Sequence, residues 1–211
     1  MKWTQLIRKI KTIGIFRLQD LEPFGLMKPF AAVQLSHWVS QGKLIRLKRG
    51  FYAASPDEQS SELSPLWISG ILYEPSYISL EYALSRFGLI PEAVSEITCV
   101  STKKTQTFTT PLGVFSYRKV IPHYFFGYQT DRSPNGKPYW MATPEKALLD
   151  FFYLSIPKTT ILTPDLLLEG YRLQNLNLLK KKKLIAYQKL FPHPRVLLGT
   201  KILLQLLEKS R

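Results

Sequence analysis

Arg46, Lys48 and Arg49 crowd the single Gly50 in LIRLKRGFYAAS, residues 44–55. Three cations within four positions repel one another unless an anion lies against them, and phosphate contact with release of counterions is the chemistry that relieves them. Upstream, Val33, Gln34, His37 and Ser40 recur at helical spacing behind a leading Lys28. Side chains of these types donate, accept or neutralise at major-groove base edges and flanking phosphates. An ordinary solvated helix face and a cationic hairpin tip carry the same residue types, so neither segment decides the matter alone. A third cationic feature is the run Lys180, Lys181, Lys182 and Lys183. Four successive helical residues sweep about 300° around the axis, so some of these stems must lie along apolar surface. The run reads as a basic patch shared with Lys189, Arg195 and Lys201, a second nucleic-acid surface. A solvated helix face explains it equally well.

Enzymatic chemistry finds less support. There is no phosphate-cradling G-x-x-x-x-G-K-[ST] loop, no H-E-x-x-H pair, and no Gly-Ser dipeptide of the kind a nucleotidyltransferase places beside metal-binding acids. The lone Cys99 excludes a C-x-x-C metal pair and sits in an apolar strand, which suits a small buried residue better than a nucleophile. His37, His123 and His193 are far apart along the chain. A nuclease built on scattered acids such as Glu81, Glu92, Glu96 and Asp150 stays open at this level. The reading is a non-enzyme with no cofactor and no metal.

These residues need elements to position them. Trp3, Leu6, Ile7, Ile10 and Ile13 give a first helix, with Gly14 placed for a left-handed cap. A short helix carrying Leu18 and Leu21 ends at Pro23, Gly25 turns the chain, and Pro29 opens a third helix that runs to Gln41 and closes at Gly42. Its stripe of Ala31, Leu35, Trp38 and Val39 faces inward. Leu44 to Leu47 and Phe51 to Ala53 then pair around a tight turn at residues 48–50. Helix, short helix, helix and hairpin is the order of a winged helix-turn-helix over residues 1–55. DNA rather than RNA suits it, because the A-form major groove is too deep and narrow for a helix.

Residues 56–65 are rich in Ser, Pro and acids and read as a linker. Over 66–211, Ile78–Phe87 reads as a helix, Ile97–Thr102 as a strand and residues 107–120 as a hairpin about Pro111–Gly113. Thr143 caps a helix through EKALLDFFYL, and a Thr-Pro-acid opening recurs at Thr163. Helices follow over Leu176–Phe191 and Val196–Leu207. The fold class is α+β, a winged helix-turn-helix followed by a mixed α+β C-terminal domain.

The 211 residues carry a formal charge of +14. Ten Lys and Arg against two acids leave +8 on residues 1–56, the middle to residue 179 carries −2, and residues 180–211 carry +8. Cations gathered at two ends around a near-neutral middle favour a polyanionic partner. No apolar run reaches the roughly 20 residues of a membrane span. Arg8, Lys9 and Lys11 interrupt the start where a signal peptide is apolar, and one cysteine suits a reducing cytosol. The expected location is cytoplasmic.

The run SYISLEYALSRFGLIPEAVSEITCVSTKKT, residues 76–105, then FTTPLGVFSYRKV, FFGY and ATPEKALLD, resembles the AbiEi-type antitoxin and transcriptional regulator family of bacterial abortive-infection systems. RGFY, residues 49–52, resembles that family's wing, and the ordered blocks extend from about Leu44 to Tyr153. The resemblance implies a winged helix that binds inverted repeats in the promoter of its own operon and represses it. It also implies a C-terminal domain that counters a nucleotidyltransferase-like toxin in a type IV arrangement, with no stable direct complex expected. Carried over by position, Arg46, Lys48 and Arg49 become wing contacts beside Lys28, Gln34 and His37. Tyr77, Glu81, Lys103, Lys104 and Arg118 become antitoxin-surface candidates, to which the run 180–183 is added. Each of those five also has an ordinary structural role open to it.

Overall fold

The computed structural model describes residues 3–10, 14–24, 28–58 and 63–209. The chain begins with α1 (Trp3–Ile10), β1 (Ile15–Arg17), a 3-10 turn (Leu18–Phe24), α2 (Lys28–Ser40), β2 (Leu44–Lys48) and β3 (Phe51–Ala54). Gly14, at φ +79°, donates its N–H to the carbonyl of Ile10 and closes α1 as its position suggested. Ile13 and the turn at Gly25 lie outside the described residues. β1 was not expected from the sequence, because three residues are too few to establish a period.

The three strands form an antiparallel sheet in the order β1-β3-β2. One face, with Phe16, Leu44, Tyr52 and Ala54, joins Leu6, Ile10, Leu35 and Trp38 in a core of its own. The other face, with Ile15, Leu47 and Ala53, joins the core of the remaining chain, with Ile45 and Phe51 packed against it. The sheet is therefore covered on both sides.

The second body holds α3 (Pro65–Leu72), β4 (Ser76–Ile78), α4 (Leu80–Arg86), β5 (Ile97–Ser101), β6 (Gln106–Thr110), β7 (Gly113–Lys119), β8 (Tyr128–Arg132), β9 (Pro138–Ala142), α5 (Pro144–Leu154), α6 (Lys181–Leu190) and α7 (Pro194–Lys209). Six strands order as β6-β7-β5-β4-β9-β8, parallel at β5–β7 and β4–β9 and antiparallel elsewhere. The whole is mixed α+β.

Three expectations change. The helix expected from Ile78 begins at Leu80, and Ser76–Ile78 is a strand, buried in the centre of the sheet. Its neighbours β5 and β9 supply the pairing that local pattern could not reveal. The expected linker ends one residue early, since Pro65 starts α3 while Leu63 and Ser64 are already buried. The helix expected from Leu176 is a 3-10 turn at Leu176–Leu178 followed by α6. The Thr163 opening holds, since Thr163 Oγ1 accepts from the Leu166 N–H at 3.1 Å, and it leads into a π turn at Leu166–Gly170. Among the described residues no helix is long and apolar enough to cross a membrane.

Candidate nucleic-acid interface

α2 packs on β2 with Ala31, Leu35 and Trp38 inward, as its stripe required. The outer face keeps Phe30 at 74% and Val33 at 73% exposure, alongside exposed His37 and half-buried Gln34. Phe30 was not among the residues expected on this face, which were Val33, Gln34, His37 and Ser40. His37 Nε2 lies 3.0 Å from Gln41 Nε2, and Ser40 Oγ donates to the His37 carbonyl, so the last turn of α2 is held by its own side chains. The side chain of Lys28 lies outside the described residues.

The hairpin divides its three cations. Arg46 pairs across the strands with Tyr52, whereas Lys48 pairs with Phe51, so Leu47 is an extra residue on its strand. A bulge of this kind moves every later side chain to the opposite face of the sheet. Strict alternation places Lys48 beside Arg46; the bulge instead turns Lys48 toward the second body. There its ammonium donates to the Leu72 carbonyl and lies 4.0 Å from the Phe51 ring centre and 5.4 Å from that of Phe108. Burial lowers its pKa, and the nearby Lys103 ammonium lowers it further. Lys48 therefore does not belong with the outward wing contacts, while Arg46 and Arg49 remain exposed.

The antitoxin-surface candidates scatter. Tyr77 is 1% exposed and cannot serve as a surface residue. Burial and the adjacent Asp150 raise its phenol pKa well above the ordinary value. Glu81 is half-buried in the first turn of α4. Lys103 lies 5.5 Å from the Tyr73 ring centre, and the Lys104 carbonyl accepts from Tyr73 Oη at 2.9 Å. Arg118 donates to the Leu154 carbonyl at 2.7 Å. In the lysine run, Lys181 lies 3.8 Å from Glu208 and Lys183 lies 3.4 Å from buried Glu145. Glu145 also accepts from the backbone N–H of Lys180, so one carboxylate serves the first turn of α6, where four cations oppose the helix dipole. Within the run Lys180 and Lys182 are exposed and Lys181 and Lys183 half-buried, while of the residues expected to share the patch Lys189 and Lys201 are exposed and Arg195 is half-buried.

What brings residues together is a buried network under α5. Lys146 and Asp150, one turn apart, have fully buried side chains in direct contact. Lys146 Nζ also donates to Tyr77 Oη at 2.9 Å. Tyr77 Oη and Ser79 Oγ donate to Asp150 Oδ2 at 3.0 and 2.8 Å. The ammonium stands 5.0 Å from the ring centres of both Phe126 and Phe191. Burial pushes Lys146 down and Asp150 up in pKa, and the three donors on Asp150 work against its shift by favouring the carboxylate. The signal in the sequence was a Lys and an Asp four apart inside the otherwise apolar EKALLDFFYL. Of the acids considered for a nuclease, Asp150 is committed to this network and Glu92 is held by Arg172 at 2.9 Å. Among the described residues no three His, Cys, Asp or Glu side chains gather to hold a metal ion. Cys99 is fully buried, and burial pushes its thiol far up.

The chain matches no protein-family model and no curated protein.

Proposed function

We propose that the chain is a cytoplasmic DNA-binding transcriptional repressor whose residues 1–55 form a winged helix-turn-helix, and that its second body acts as the antitoxin of a type IV system. The observation carrying the first half is the outer side of the N-terminal unit. α2 presents Phe30, Val33 and His37 to solvent, and the adjoining hairpin keeps Arg46 and Arg49 exposed while its opposite face is buried. In this reading α2 enters the major groove, where Phe30 and Val33 meet thymine methyl groups and Gln34 and His37 meet polar base edges. Arg46, Arg49 and Lys28 neutralise phosphates and fix the register. The partner is double-stranded DNA carrying inverted repeats in the chain's own promoter. The antitoxin half rests on the ordered sequence blocks of residues 76–150, with a nucleotidyltransferase-like toxin opposed through function rather than through a stable complex.

The test is a salt titration of binding to the upstream DNA. With Lys48 turned inward, Lys28, Arg46 and Arg49 account for about three phosphates, and log affinity against log salt should fall with a slope of roughly −2.7. A flat slope refutes DNA binding. Rescue of growth by the chain when a neighbouring toxin gene is expressed supports the antitoxin half, and absence of rescue reduces the reading to a transcription factor alone.

A further inference from the structure

A cleft of about 780 Å³ separates the N-terminal sheet from the second body, within the size range of small-ligand sites. It is assembled from both: β1 and the β2–β3 hairpin on one side, α3, β4 and β9 on the other. Its walls include the rings of Phe51, Trp67, Phe125, Tyr128 and Trp140, surfaces on which a planar ring can stack. Two ammonium groups, Lys48 and Lys103, line the same space. The Lys103 ammonium is close enough to act on the charge of Lys48. Lys48 spends one donor on the Leu72 carbonyl, which leaves two more on its ammonium. Of the acids at the rim, Asp20 is held by Arg17 at 3.2 Å and Glu74 is exposed. Ser76, 6% exposed, also lines the cleft, and its buried Oγ has no hydrogen-bond partner. Paired cations and an unpartnered hydroxyl beside an aromatic wall describe a ligand that is anionic at one end and flat at the other.

We propose that this cleft binds a nucleoside phosphate, its base stacked on the aromatic wall and its phosphates between Lys48 and Lys103. Neither residue then serves the surface to which the sequence assigned it, and their convergence is the property that the fold creates. A ligand seated there touches both bodies and fixes their relative placement. The site is independent of the DNA reading, since it uses neither Arg46 nor Arg49.

Isothermal titration of the full chain with ATP, adenosine and tripolyphosphate tests it. Saturable binding of ATP is expected, with each half-ligand at least tenfold weaker. Lys103→Gln, an exposed change that spares the core, should weaken ATP about tenfold, as loss of one charged contact does. Ser76→Ala should weaken it less, and the Arg46→Ala/Arg49→Ala variant should bind ATP as the parent does. No saturation at millimolar ATP overturns the proposal. So does ATP affinity unchanged by Lys103→Gln, or tripolyphosphate binding as tightly as ATP, which marks an adventitious ion only.

Discussion

Replacing Asp150 by Asn removes one charge from the network under α5 and changes almost no volume. Lys146 would then hold an ammonium with a fully buried side chain and no carboxylate beside it. Removing one partner of a buried ion pair costs about 3–5 kcal/mol. Loss of the Lys146 proton sets a ceiling: neutralising an amine of ordinary pKa at pH 7 costs about 4.6 kcal/mol at 1.36 kcal/mol per unit. The expected loss is therefore roughly 3–4.6 kcal/mol, a large part of the roughly 5–15 kcal/mol that holds a domain folded. For a chain of this length it lowers the melting temperature by roughly 6–18 °C. The sign of the pH dependence follows from the same group. Burial lowers the folded pKa of Lys146 below its unfolded value, so between the two values the unfolded chain binds more protons and stability rises with pH. The Asp150→Asn variant should thus recover on raising the pH from 7 toward 10, by up to about 1.36 kcal/mol per unit. Adding Lys146→Met should restore most of the loss at pH 7, because a thioether suits a cage of Phe126, Phe191 and Tyr77. Urea unfolding of the parent, both single variants and the double variant across pH is the assay. A loss below about 1 kcal/mol, a flat pH profile, or a double variant no more stable than Asp150→Asn would refute the account of this network.

The hairpin cations should separate in two different measurements. Lys48→Met should leave the salt slope of DNA binding unchanged while costing about 1–2 kcal/mol of stability through its lost hydrogen bond and ring contacts. Arg46→Ala/Arg49→Ala should make the slope shallower by about 1.8 with little effect on stability, and a slope change with Lys48→Met instead would place that lysine on DNA after all. Cys99 should resist an aromatic disulfide reagent in the native protein and react only as the sheet opens, because the thiolate is the reactive form and burial holds it protonated. Rapid stoichiometric labelling of the folded chain would contradict its placement in β5.

Local signals carried much of the N-terminal unit. Gly14 and Gly42 adopt positive φ where the helices were expected to close, and the stripe of Ala31, Leu35 and Trp38 faces the core. Thr143 accepts from the Lys146 N–H at the expected cap. These are short-range outcomes, set by a missing Cβ, a helical period and a hydroxyl three residues from its donor. Ser76–Ile78 failed for the complementary reason. Three buried residues become a strand only because strands from residues 97–101 and 138–142 pair with them, and neither partner is near in sequence.

By itself the sequence determined the charge distribution, the helix stripes, the hairpins about Gly50 and Gly113, and an α+β class, since each depends on residue type and short spacing. Tertiary structure decided which charges face water. A one-residue bulge at Leu47 takes Lys48 from the side of Arg46 to the side of Phe51, and alternation along a strand cannot register an insertion made by pairing. Packing against α3 then places Lys48 in a cleft with Lys103, a residue 55 positions away. In the same way EKALLDFFYL showed a Lys and an Asp one turn apart, but only the docking of α5 beneath Tyr77, Ser79 and Phe191 made them a sealed ion pair. Side-chain type is local; burial and partnership come from segments that the chain separates and the fold joins.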